Sequence, residues 1–120
     1  GEQQMALGAQ LRPLREEGVL ILGSGNVVHN LRLINGAATV PFPWARAFDD
    51  AVHAAVMAGD WEAVADYMAL PGAGLAVPTN EHFVPLLYVL GAAHPGEKVE
   101  AFNRDYVFGS LSMTGYLFGT

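Results

Sequence analysis

The sequence contains no cysteine, which excludes disulfide frameworks, thiolate zinc sites, iron–sulfur clusters and thiol catalysis. Basic residues are scarce as well. Six Lys and Arg face twelve Asp and Glu, giving a net charge of −6 and a pI of about 4.9. A binder of phosphate backbones needs clustered Lys and Arg, so no nucleic-acid partner is expected. No apolar run approaches the roughly 20 residues of a membrane span, and the opening residues lack the basic-then-apolar pattern of a signal peptide. No membrane partner is therefore expected, and a cytoplasmic protein is the default. What the 120 residues do have is a 52% hydrophobic content, too high for disorder and enough for a single buried core.

The apolar spacing orders that core along the chain. Residues 1–17 read as a helix, with Leu7, Leu11 and Leu14 at i, i+4, i+7 and Gly18 as its stop. Gly18-Val19-Leu20-Ile21-Leu22 is a short continuous apolar run, the pattern of a parallel strand buried on both faces. It leaves through Gly23-Ser24-Gly25-Asn26 toward His29. Residues 31–44 are punctuated by Asn35-Gly36 and Pro41-Phe42-Pro43 and read as irregular. A helix is expected over 44–58, burying Phe48, Val52, Ala55 and Val56. A second, capped by Asp60, should carry Trp61, Val64, Ala65 and Met68 on one face. A loop follows from Pro71. Pro85 must then sit in the first turn of the next helix, because an interior proline breaks the backbone ladder. Glu81 and His82 therefore fall at a helix N-terminus. Residues 98–108 and 110–118 read as strands.

Four histidines are candidates for chemistry. His29 lies beyond a strand and a glycine-rich turn, where ligands of open α/β sheets bind, and an imidazole titrates near neutral pH. The plainer role is a loop histidine bonded to backbone. His82 beside Glu81 pairs an imidazole with a carboxylate, two ligand types for Fe(II), Mn or Zn, although such a pair at a helix start also serves as a cap. His53 reads as half of an exposed pair with Asp49, and His94 as a helix-end cation; both are left out of the site. Gly23-Ser24-Gly25 lacks the third glycine of a dinucleotide fingerprint, and Leu22 stands where a serine nucleophile motif needs glycine.

The segment from Leu11 through Gly18-Val-Leu-Ile-Leu-Gly-Ser-Gly-Asn-Val-Val-His29-Asn30-Leu31 resembles the class III extradiol ring-cleaving dioxygenases, in particular their DOPA-dioxygenase-like branch. Ala47-Phe48-Asp49, Ala58-Gly59-Asp60-Trp61, the run from Pro78-Thr79-Asn80-Glu81-His82 to Gly91, and Gly109-Ser-Leu-Ser-Met113 match in the same order. The resemblance implies an α/β fold with a mostly parallel sheet covered by helices, a non-haem Fe(II) (zinc in some relatives), and a catechol substrate opened with O₂. It implies that His29 is the acid–base residue that positions substrate, and that His82 is a metal ligand. Glu81 is a neighbour or alternative ligand, as in the protocatechuate branch, and Asn30 is likewise a supporting residue or alternative ligand.

The resemblance also implies that two further ligand histidines belong to an N-terminal half. No histidine precedes His29, so residues 1–120 are expected to be one partial domain, the C-terminal half. Alone, it is expected to bind metal weakly or not at all and to associate, with itself or with the missing half. The alternatives are a non-catalytic, self-associating α/β module derived from such an enzyme, and a small-molecule binder using the His29 loop.

Overall fold

The computed structural model describes residues 1–119. Helix α1 (Glu2–Leu11) tightens into a 3₁₀ turn, Arg12–Glu17, and stops at a left-handed Gly18. It lies along α5 (Val84–Ala92), and the two backbones come close because both contacts are glycines: Gly8 sits on the Tyr88 carbonyl and Gly91 on the Met5 carbonyl. Arg12 and Arg15 fasten the pair by donating to the carbonyls of Gly91 and Ala92 at 2.8 and 2.9 Å.

Helix α2 (Pro43–Ala58) buries Phe48, Val52, Ala55 and Val56, the face its spacing predicts. Asp60 caps α3 (Trp61–Ala65) through Ala63 N–H at 3.1 Å. That helix ends a turn sooner than expected: the chain leaves helical geometry at Asp66 and enters a 3₁₀ turn, Tyr67–Ala69. Met68 is thereby carried outward and is 55% exposed, not core. The loop after Pro71 contains a short helix, α4 (Ala73–Ala76). Phe48, Phe83, Leu87 and Leu90 are the largest buried apolar side chains, joining α2 to α5.

The chain thus mixes helices and strands as expected, but its sheet differs. Strands β1 (Val99–Phe102) and β4 (Gly115–Phe118) pair antiparallel, as do β2 (Tyr106–Val107) and β3 (Leu111–Ser112). Among the described residues no parallel pair occurs. The buried parallel strand expected at 19–22 is not formed: the run has no strand partner, and Leu20 and Leu22 are 75% and 82% exposed. Apolar character marks a segment that wants cover. A strand also needs a neighbour to complete its backbone hydrogen bonds, and among the described residues no strand pairs with this one.

Candidate active site

Residues 26–30 are pinned from several directions. Val28 N–H donates to the Ser112 hydroxyl at 3.0 Å, and Ser112 N–H donates back to the Val28 carbonyl at 3.0 Å. His29 bridges Leu111 antiparallel, and its N–H donates to the Ala76 carbonyl at 3.0 Å, at the end of α4. Val27 and Val28 are buried, so the segment is anchored by core on either side of its polar contacts.

The glycine-rich exit has a packing role. A side chain at Gly25 would collide with the carbonyl oxygen of His82. The missing Cβ lets the chain graze the N-terminus of α5, where Asn26 N–H donates to that same carbonyl at 2.8 Å. The segment carrying His29 and the turn carrying His82 are thus joined directly.

Their side chains meet. The imidazoles of His29 and His82 stack with ring centroids 3.6 Å apart and planes 20° from parallel. The Glu81 carboxylate lies 3.7 Å from Nε2 of His82 and accepts a 2.7 Å hydrogen bond from the Thr79 hydroxyl. His29, Asn30, Leu31, Arg32, Pro78, Thr79, Glu81 and His82 line one open cleft of about 190 Å³. Burial, and secondarily the neighbouring His82, push the pKa of His29 below the usual imidazole value. The Thr79 hydrogen bond, first among several causes, lowers that of Glu81. At neutral pH both shifts favour a neutral His29 imidazole beside an ionised carboxylate.

Asn30 is buried, and both ends of its side-chain amide are used. Nδ2 donates to the Leu75 carbonyl at 2.8 Å, and Oδ1 accepts from Arg32 N–H at 3.0 Å. Its own carbonyl accepts from the buried Ser110 hydroxyl at 2.8 Å. Asn30 holds the turn in place, and these bonds use one of its two amide N–H donors.

His53 and His94 make their contacts elsewhere. His94 Nε2 lies 3.3 Å from a Glu16 carboxylate oxygen. His53 packs against Tyr116, and the exposed Asp49–His53 pair does not form, because Asp49 is buried. Its Oδ2 instead accepts from Thr114 Oγ1 at 3.0 Å and Arg104 Nη2 at 3.3 Å. That cluster, with Arg32 and Thr79, carries no sequence signal of its own, because Arg104 and Thr114 stand 55 and 65 positions from Asp49 and the others are single polar residues in loops.

His82 and Glu81 are ligand types that Fe(II) and zinc accept. His29 would complete two imidazoles and a carboxylate, but the stacking forbids it. Ring-nitrogen lone pairs lie in the ring plane, and two nearly parallel planes 3.6 Å apart cannot both contain one ion at about 2.0–2.1 Å from each nitrogen. Among the described residues, no three His, Asp or Glu gather closely enough to hold a metal. The donor chemistry fits; the count falls short.

The family model for the catalytic LigB subunit of aromatic ring-opening dioxygenase matches residues 1–119, and the chain belongs to that family. It is 38% identical to the 4,5-DOPA dioxygenase extradiol of Escherichia coli K12, covering 94% of this chain and 43% of that protein. The 4,5-DOPA dioxygenase extradiol of Beta vulgaris is 37% identical, over 98% of this chain and 44% of its own length. The crystal structure of an uncharacterized Escherichia coli K12 protein superposes with a TM-score of 0.88 at 35% identity, covering 98% of this chain and 50% of that one. The chain thus spans about half the length, or less, of these relatives.

Proposed function

We propose that this chain contributes one side of the active site of a metal-dependent extradiol dioxygenase, which opens a catechol ring with O₂. The stacked His29–His82 pair carries the reading, because it supplies two imidazoles that cannot share a metal and so must differ in role. His82, beside the ionised Glu81, is the ligand; Glu81 is its neighbour and an alternative donor. His29 is the acid–base residue. An iron(II) or zinc ion, when bound, supplies catechol chelation, and iron the oxygen chemistry.

The remaining work belongs to this chain's own groups. A catechol hydroxyl must lose its proton to bind as a catecholate. His29 is neutral at pH 7, because burial and His82 oppose its charge, so an imidazole nitrogen can take that proton and later return it to the product. Asn30 fixes the turn, and the nearby Glu81 carboxylate favours the imidazolium while the proton is held.

Since no three ligands gather among the described residues, this reading takes the remaining ligands from a polypeptide equivalent to the uncovered part of the relatives. Iron-loaded chain should show no oxygen-dependent ring opening alone. Mixed with the complementary portion of a full-length relative, it should turn over catechol, followed by the absorbance of the ring-opened product. Efficient turnover by the isolated chain would contradict the incomplete-site reading. No turnover from a mixture shown to be assembled and iron-loaded would contradict the enzymatic one.

A further inference from the structure

The cleft is electrically divided. Glu81 lines it with a carboxylate and Arg32 with a guanidinium, and among the described residues no ion pair joins the two. Most of the chain's six basic residues are committed. Arg12 donates to Gly91, Arg15 pairs with Glu97, Lys98 with Glu100, and Arg104 with Asp49 and Asp50. The guanidinium groups of Arg32 and Arg46 have no such partner among the described residues, and of the two only Arg32 lines the histidine cleft.

Arg32 is also well placed. It lies three residues after His29 in the 3₁₀ turn Leu31–Leu33, and its backbone N–H is clamped by the buried side chain of Asn30. One anchor therefore sets both the acid–base residue and the cation. Leu31, between Asn30 and Arg32, adds an exposed apolar surface to the same cleft.

We infer that Arg32 is a specificity-determining residue that receives an anionic substituent, of the carboxylate class, on the aromatic substrate. The inference rests on the catechol reading of the cleft. Glu81 repels an anion from the metal-facing edge, while a guanidinium offers a carboxylate paired donors. The two charges thus orient the ring, with hydroxyls toward His29 and His82 and the anionic arm toward Arg32.

The test titrates the chain with two catechols, 3,4-dihydroxyphenylacetate and uncharged 4-methylcatechol, following the ring-proton NMR signals of His29 and His82. The expected result is that both probes shift these signals and that the anionic one binds about fivefold tighter, the size of an exposed ion pair, with the preference shrinking as salt is raised. Arg32→Gln should abolish the preference while leaving 4-methylcatechol unchanged. Arg32→Lys should restore part of it, and Arg46→Gln should alter neither. If both probes bind alike, or if the preference survives Arg32→Gln, the role of Arg32 is overturned and the catechol reading stands. If neither probe moves the histidine signals, the role of Arg32 is overturned, while the catechol reading is decided by turnover of the assembled, iron-loaded mixture.

Discussion

The backbone N–H of Asn26 donates to the carbonyl oxygen of His82 at 2.8 Å. This bond sits where the two functional segments first touch, and three residues beyond Asn26 the imidazole of His29 lies flat on that of His82. The close approach depends on the absent side chain of Gly25, so the geometry of the cleft is written into backbone packing as much as into the histidines.

Gly25→Ala tests that dependence. The new Cβ must displace either residues 23–26 or the N-terminus of α5, at a cost of about 1–3 kcal/mol typical of overpacking. Chemical denaturation should show the loss, and the ring-current shifts between His29 and His82 should diminish. Unchanged stability with unchanged shifts would show that the contact is not tight.

Stability should fall in mild acid. The pKa values of His29 and His53 both lie below 6.5 in the fold, chiefly through burial. Below about pH 6.5 the unfolded chain binds protons that the folded chain resists, so stability is full above that value and declines as pH drops through the lowered folded values. Urea midpoints at pH 7.5 and 5.5 should differ in that direction, and His29→Gln should reduce the difference.

The ion pair of Arg15 with Glu97 fastens the turn after α1 to the start of β1, with oxygens at 2.6 and 2.8 Å. The Arg15 hydrogen bond, first among several causes, holds the Glu97 pKa below its ordinary 4.5. Its contribution is therefore present above about pH 4.5 and lost as pH falls through the lowered value. Glu97→Gln should cost about 1.5–3 kcal/mol at pH 7, the range for charged hydrogen bonds, with little effect once the carboxylate is protonated. An equal loss at pH 7 and pH 3 would contradict this origin.

The exposed run at 19–22 should drive association. Leu20 and Leu22 protrude from a segment with no strand partner, and an open backbone edge with apolar side chains invites pairing. Sedimentation should find oligomers at micromolar concentration, reduced by Leu20→Lys with Leu22→Lys. A wild-type monomer would contradict the proposal.

Local order was readable from the sequence where it depends on local rules. The buried face of α2, the Asp60 cap and the place of Pro85 in the first turn of α5 follow from spacing and backbone chemistry. The run at 19–22 misled, because apolarity signals a need for cover without showing whether a partner strand is present. The strands at 99–102 and 115–118 were legible as extended, but their antiparallel pairing is a tertiary fact. In the cleft, His29 and His82 stood out through residue type and motif. The clamp of Asn30 on Leu75 and Ser110 spans 45 and 80 positions, beyond the reach of local pattern.

The division of labour between the two histidines is tested most directly by measuring metal content and turnover together, in the chain assembled with the complementary portion of a full-length relative. The account predicts that His82→Ala loses bound iron and turnover alike. His29→Ala should keep its iron and lose turnover by about 10²–10⁴-fold, the range for general acid–base catalysis. Loss of iron from His29→Ala, or full iron retention in His82→Ala, would contradict it.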